Sequence, residues 1–309
     1  MFVKIIGGAG FVGNHLTKIL AAAGHHVTVL DLKKPLVRKA NVYVPGSGES
    51  SWTNHVKFEK VDITQYNEID WAIDRGDFVV HLAAVAQFDQ AERSPGMTTA
   101  INVAGTANIL DACINNNASH IVCASTGSVY STKVVSPITE DMELDPKSMY
   151  GLTKLWAEQV LLHYSDKIPV CILRFPHIIG SGKTWGANSM ILRMMNGERP
   201  TIYGDGEQKS DFTHVDDITQ AIELALNKQA TGIYNIGSGE SRSTLDFVKW
   251  AEIALDKAHA NPIFTPPRNV DFLDFKYDIS KAKRDLGYSP KYNLEAGLIK
   301  TVDEWDQWL

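Results

Sequence analysis

A tyrosine and a lysine stand four residues apart in Tyr150-Gly151-Leu152-Thr153-Lys154, a spacing that puts both side chains on one face of a helix. An ammonium beside a phenol favours the phenolate, so Lys154 is expected to lower the pKa of Tyr150 and make it a general base near neutral pH. Alone, such a pair reads more simply as a buried tyrosine beside a lysine whose stem lies along it. Upstream, however, Ser125-Thr126-Gly127-Ser128-Val129-Tyr130 closes an apolar run with hydroxyls positioned to share a substrate proton. That context turns the reading toward acid–base catalysis.

A second constellation opens the chain. Gly7-Gly8-Ala9-Gly10-Phe11-Val12-Gly13 follows a short apolar run and starts a helical pattern. Gly7 permits a tight turn, Gly10 lets backbone approach a pyrophosphate, and Gly13 lets helix and strand pack closely. The helix start then offers unpaired N–H groups and partial positive charge to the phosphates. The residues expected to touch a dinucleotide here are Gly7, Gly10, Phe11, Val12 and Gly13. Asp31 ends the next strand, where a carboxylate accepts from both adenosine ribose hydroxyls and repels a 2′-phosphate, which favours NAD over NADP. Lys33 and Lys34 read as a solvated loop. Asp62 reads either as a residue facing the adenine, with Ile63 beside it, or as an ordinary strand-end acid.

These residues need a frame. Strands are predicted at Phe2–Ile6, Val27–Leu30, Val56–Val61, Phe78–Leu82, Ile121–Ser125, Val170–Phe175 and Gly232–Ile236. Helices are predicted at Phe11–Ala23, Asn102–Asn115, Tyr150–Tyr164 and from Thr244 onward. A βαβ series with apolar strands implies an α/β fold, a doubly wound parallel sheet covered on both faces. A Gly/Ser/Asn-rich loop is predicted from Pro45 to Asn54. After Phe175 the rhythm breaks, with frequent Gly and Pro. The expected division is a nucleotide domain at 1–175 and 232–260, with a smaller substrate-binding region at 176–231 and 261–309.

The 309 residues are 44% hydrophobic and 21% charged, enough for a sizeable core. A net charge of −6 speaks against a nucleic-acid or anionic-membrane binder, which needs a basic face. The three cysteines, Cys113, Cys123 and Cys171, show neither CxxC nor Cys/His metal spacing. They read as buried thiols of a reducing compartment, with no metal site. The apolar start meets glycine after six residues, too short for a signal-peptide core, and no later run approaches a membrane span. The expectation is a cytoplasmic protein.

Taken in order, IIGGAGFVG (5–13), Asp31, VDI (61–63), HLAA (81–84), NVAGT (102–106), STGSVY (125–130), YGLTK (150–154), YGDGEQ (203–208), DFTHVDD (211–217), YNIGSGE (234–240) and DISKAKRDLGYSP (278–290) make the chain resemble the extended short-chain dehydrogenase/reductases of the NAD-dependent epimerase/dehydratase family, which act on nucleotide-sugars. The resemblance implies a catalytic triad of Thr126, Tyr150 and Lys154, with Ser125 and Ser128 beside it and Lys154 bonded to the nicotinamide ribose. It implies that Leu82, Ala83 and Ala84 line the cofactor after His81, that Asn102 supports the pocket, and that Ser125 and Pro176 lie near the cofactor. His81 is given no catalytic role. Substrate contacts are implied at Thr126, Gly127, Ser128, Tyr150, His177, Asn188 and Arg268.

Within that family, 4,6-dehydratases carry a carboxylate after the triad Thr to drive elimination. Gly127 and Ser128 offer none, which also weakens a decarboxylase reading. A 4-epimerase needs only reversible hydride transfer, so the resemblance implies an NAD-dependent nucleotide-sugar 4-epimerase of UDP-hexose type. Two departures stand out. His177 replaces a frequent Asn, and Ser210 replaces a frequent Arg that clamps phosphate through a planar fork, a task open to Lys209. Arg268 sits where a second phosphate-binding Arg is expected. Two rival readings remain open: an NAD(P)-dependent reductase of a 4-keto nucleotide-sugar, and a noncatalytic dinucleotide-sensing protein. A homodimer packed through the helices near 102–115 and 150–164 is a further implication, although those apolar faces are equally open to cover within one chain.

Overall fold

The computed structural model describes residues 1–34, 56–256, 260–268 and 272–305, and the loop predicted at 45–54 lies outside them. In chain order the elements are β1 (Phe2–Ile6), α1 (Phe11–Ala22), β2 (His26–Asp31), β3 (Val56–Lys60), α2 (Tyr66–Ala72), β4 (Phe78–His81), α3 (Phe88–Arg93), α4 (Pro95–Thr99), α5 (Gly105–Asn115), β5 (His120–Thr126), α6 (Met149–His163) and β6 (Val170–Phe175). There follow β7 (His177–Ile179), α7 (Asn188–Met195), β8 (Thr201–Tyr203), β9 (Lys209–Ser210), β10 (Phe212–His214), α8 (Val215–Lys228), β11 (Gly232–Asn235), β12 (Arg242–Ser243), α9 (Thr244–Ala254), β13 (Ile263–Thr265), α10 (Ser280–Leu286) and α11 (Leu294–Asp303).

Two compact units emerge. The first comprises 1–126, 149–173 and 219–233. The seven-stranded sheet has the order β11-β6-β5-β4-β1-β2-β3, and β1 runs parallel to both β2 and β4. The chain builds outward from β1 through β3, then returns to β4 and builds the other way. This is the doubly wound parallel order the apolar strand runs imply. It leaves a switch point between β1 and β4, where ligands bind in such sheets. A core of Ile6, Leu30, Val79, Ile109, Ile121 and Ile172 packs this unit. Helix α5 begins later than predicted, because residues Ala100–Ala104 wind as a π-helical turn before it. Such wide turns recur at functional sites, and this one carries Asn102.

The second unit comprises 127–148, 174–218 and 234–309. Its strands are short. β7 pairs with β10, β8 with β13, and β9 antiparallel with β12. Its core gathers Ile179, Ile191, Ile202, Phe212, Phe247 and Trp305. Buried polar groups tie its loops. Asp211, wholly buried, accepts from Ser238 N and Oγ (2.8 and 2.7 Å), Thr213 Oγ1 (2.9 Å) and Gly239 N (3.1 Å). Asp217 accepts from the backbone of Lys291 and Tyr292. These two acids of the DFTHVDD motif therefore hold the fold.

The units divide the chain differently from the expected domains, for identifiable reasons. Helix α9 was expected with the nucleotide domain, yet Phe247, Val248 and Ala251 bury it in the second core. Segment 127–148 goes with the second unit because Ile138 bonds through its backbone to Lys276 and Asp278. Residues 219–231, expected in the substrate region, fall in the first unit with 232–233. Helix α8 repeats buried Ile218, Ala221, Ile222, Ala225 and Leu226 at helical spacing, a pattern the sequence reading passed over. Among the described residues no helix is long and apolar enough to cross a membrane.

Trp305 is 1% exposed at the end of the described chain. Trp305→Ala is expected to remove about 3–5 kcal/mol of stability, read as a lowered denaturation midpoint. A midpoint equal to the parent protein's would show that this C-terminal anchor contributes nothing.

Candidate cofactor and catalytic site

The glycine loop is built by close approach. Gly7 has φ +80°, and a Cβ there would lie 2.5 Å from the backbone nitrogen of Ala83. A Cβ on Gly13 would meet Gly8 Cα at 2.5 Å. No side chain caps α1 at Gly10, so the loop is held from elsewhere: Asn14 Nδ2 donates to Ala9 O and Gly10 O at 2.8 and 2.9 Å. The first turn of the helix thus keeps N–H groups that need acceptors from outside the helix. Asp31 Oδ2 accepts from Ala9 N at 3.0 Å and Oδ1 from Lys33 N at 3.2 Å. A carboxylate takes about four hydrogen bonds, so this one, aimed at the loop, retains capacity for a ribose. Lys33 and Lys34 are exposed, as a solvated loop should be. The cradle, the uncapped helix start and the ribose-facing acid fit a dinucleotide.

Asp62 Oδ1 accepts from Thr64 N and Oγ1, capping the turn after β3. Ile63 presses on Gly105, where a Cβ would sit 2.7 Å from its side chain. At the end of β4, Leu82 N donates to Ile6 O at 2.8 Å, Ala83 backs the glycine loop, and Ala84 is half-buried beyond it. Asn102 supports rather than lines this wall. Its Oδ1 accepts from Val85 N (2.8 Å), while Nδ2 donates to Val85 O (3.2 Å) and Thr153 Oγ1 (3.0 Å). One buried amide thereby couples the loop after β4 to α6. His81 shares a proton with Thr106 at 2.9 Å, and burial, with the charge of Lys154, pushes its pKa down to about 3. It stays neutral, in keeping with a non-catalytic part.

Helix α6 buries Gly151, Thr153, Lys154, Ala157, Glu158 and Leu161, one continuous stripe. Tyr150 hydrogen-bonds Thr126 at the end of β5, so the structure brings the hydroxyl and the phenol together. Lys154 is 4% exposed, and among the described residues no hydrogen bond or ion pair engages its ammonium. A desolvated cation with open donors suits ribose hydroxyls. The expected lowering of the Tyr150 pKa by Lys154 does not occur in this structure. Burial dominates and pushes the phenol up to about 12, the bond with Thr126 works against it, and Lys154 is not among the acting groups. Ser125, expected at the cofactor, instead donates to Glu158 Oε1. Glu158 is buried and lies four residues beyond Lys154. The sequence reading missed it, although that spacing marks it as sharing the lysine's face.

In the second unit, Gly127 and Ser128 form a 3₁₀ turn. A Cβ on Gly127 would lie 2.4 Å from Phe275 Cζ and 2.9 Å from Tyr277 Oη. Packing therefore leaves no room for a side chain at 127, for a reason invisible in the local motif. His177 is exposed on β7 with its ring 5.8 Å from Phe212, and Pro176 precedes it half-buried. Asn188 is wholly buried and donates to Gly180 O at 2.6 Å, so its amide braces the loop before α7. Arg268 stacks on Tyr203 at 4.4 Å, and both line a cavity of about 820 Å³ with Gly204, Gln208, Pro267 and Phe272. His177 and Asn188 are not among its lining residues.

A family model described as the NAD dependent epimerase/dehydratase family matches residues 3–237. UDP-glucuronic acid decarboxylase 1 of Danio rerio is 30% identical over 99% of this chain and 73% of its own length. UDP-glucose 4-epimerase of Bacillus subtilis is 28% identical over 99% of this chain and 96% of its own. The crystal structure of UDP-glucose 4-epimerase from Thermotoga maritima with UDP-glucose superposes with a TM-score of 0.89 at 28% identity, covering 99% of both chains.

Gly7→Ala is expected to weaken NAD binding at least tenfold by calorimetry and to lower the melting temperature. The left-handed backbone alone costs about 1–2 kcal/mol, before the clash with Ala83. Gly24→Ala is the control: φ is +83° but open space surrounds the added methyl. It should melt lower and still bind NAD. Unaltered binding in Gly7→Ala would overturn the assignment of the loop.

Proposed function

The chain belongs to the NAD dependent epimerase/dehydratase family, and from that we propose that it is an NAD-dependent nucleotide-sugar 4-epimerase acting on a UDP-hexose. Gly7, Gly10, Phe11, Val12, Gly13 and Asp31 hold the dinucleotide, with Leu82, Ala83, Ala84 and Lys154 along its length. Bound NAD supplies a hydride acceptor that returns the hydride later. Tyr150 takes the proton of the C4 hydroxyl as the C4 hydride leaves, giving a 4-keto sugar, and gives the proton back when the hydride returns to the other face. Thr126 hydrogen-bonds the phenol and the substrate oxygen. Burial raises the Tyr150 phenol to about 12, so the base forms only when positive charge beyond that of the chain's own residues stands beside it, which oxidised NAD would supply when bound.

The observation that carries epimerisation over elimination is that neither Gly127 nor Ser128 bears a carboxylate, and at 127 Phe275 and Tyr277 leave no room for one. Elimination by a family dehydratase uses an Asp-Glu pair, or at least the Glu, directly after the triad Thr. Arg268 and the cavity around Tyr203 suit a nucleotide, a planar base with an anionic tail. Three buried free thiols suit the cytoplasm. A homodimer is supported by the outer face of the catalytic helix, where Trp156 and Leu162 are 40% and 37% exposed and Tyr164 follows at 43%.

The test is incubation of the protein and NAD with UDP-glucose, UDP-glucuronic acid and UDP-N-acetylglucosamine, followed by NMR of the products. Inversion at C4 without accumulation of NADH is expected, and Tyr150→Phe should abolish it while NAD still binds. Loss of water or carbon dioxide, or net consumption of NADH on a keto-sugar, would sink the epimerase reading. Sedimentation is expected to show a dimer that Trp156→Glu converts to monomer. A parent protein that sediments as a monomer would remove the dimer from the proposal.

A further inference from the structure

Helix α6 carries two charged side chains on its buried stripe, Lys154 and Glu158, one turn apart. Lys154 is 4% exposed and Glu158 2%. An ammonium taken out of water is costly unless an anion answers it. Lys183, buried in the second unit, shows what burial does to such a group, pushing it down to about 7. The neutral groups around Lys154 supply no such anion. Burial, and then the charge of Lys154, push His81 on β4 down to about 3. Burial pushes the Cys123 thiol on β5 up, with Lys154 opposing and Glu158 adding to it, so the thiol keeps its proton. Tyr150 on α6 is pushed up to about 12 and keeps its proton too. Asp89, Glu92 and Arg93 on α3 and Asp111 on α5 are exposed to solvent, where their charge is screened. Glu158 is therefore the one buried anion of this cluster among the described residues. Ser125 donates to its Oε1, a bond that favours the ionised form.

We propose that Glu158 is the counter-charge of Lys154: its buried carboxylate, held by Ser125 at the end of β5, keeps the lysine an ammonium whose donors stay open for the cofactor ribose. No ion pair engages Lys154 among the described residues, so the carboxylate acts across the stripe, through surroundings that screen charge weakly. A contact pair would occupy the donors, and a distant anion sustains the charge while leaving all three of them available. Glu158 is thus a positioning residue that acts through Lys154. The inference rests on the part proposed for Lys154 at the cofactor, and not on which sugar the protein takes.

The experiment is a pH titration of the full chain by NMR, with carbon-13 at lysine Cε and glutamate Cδ. The two signals are assigned as those that vanish in Lys154→Met and Glu158→Asp. Glu158→Gln keeps an acceptor for Ser125 and removes the charge, and is expected to lower the Lys154 midpoint by about one pH unit or more. Glu158→Asp should return most of that shift. Coupling is reciprocal, so Lys154→Met should raise the Glu158 midpoint by a similar amount, a measurement that decides the matter even where Glu158→Gln does not fold. NAD affinity, read by calorimetry over the same range, should decline from a lower pH in Glu158→Gln than in the parent protein. An unmoved Lys154 midpoint in Glu158→Gln, or an unmoved Glu158 midpoint in Lys154→Met, would overturn the pairing. An unaltered pH dependence of NAD affinity would overturn its service to the cofactor. The titrations need no sugar, so both shifts in a protein that epimerises nothing would support this inference while removing the epimerase reading.

Discussion

At the end of β1 two stretches of backbone meet with no room for a side chain between them. Gly7 lies against Ala83 and Gly13 against Gly8, each within 2.5 Å of where a Cβ would be. That contact fixes how β1 and β4 adjoin, and so where the sheet reverses its winding. It also starts α1 without a cap, leaving its first N–H groups to an external acceptor. Asp31 faces this point because β2 is parallel to β1 and ends beside it. The cofactor reading thus follows from one steric constraint and its neighbours. Relaxing it would move the glycine loop, Asp31 and the wall at Ala83 together.

Helix α6 presents a different arrangement, in which charged groups are desolvated on one face. Lys154 and Glu158 lie on one buried stripe, and both act electrostatically on Cys123. Ser125 is committed to Glu158 and Thr126 to Tyr150, so two adjacent hydroxyls at the end of β5 serve different partners. Asn102 joins the same helix to the loop after β4 through Thr153 and Val85. These bonds hold Tyr150, Lys154 and the loop after β4 in one fixed register.

Much of this was readable in the chain. Parallel strands buried on both faces appear as apolar runs, and β1, β4, β5 and β6 were found within a residue or two for that reason. Glycines with a steric task, and a tyrosine and lysine one helical turn apart, carry their meaning in short spacing. The second unit resisted because its strands are two or three residues long, too short for any period to register. Its order depends on distant partners. Nothing near Asp211 announces Ser238 and Gly239, and nothing near Gly127 announces Phe275. The effect of burial on Tyr150 was also beyond spacing, which sees the lysine but not the surrounding mass.

The discontinuity of the two units has a consequence for how the protein is made. The first unit draws its last strand from residues around 232–233, and the second reaches back to 127. During synthesis the sheet lacks an edge until that late segment leaves the ribosome, and no stretch of chain contains either unit whole. Non-local closure of this kind slows folding and exposes unpaired strand edges meanwhile. The chain is therefore a poor source of excisable parts. A nascent polypeptide stalled before β11 would present β6 as an open edge, the condition in which a chaperone has most to shield.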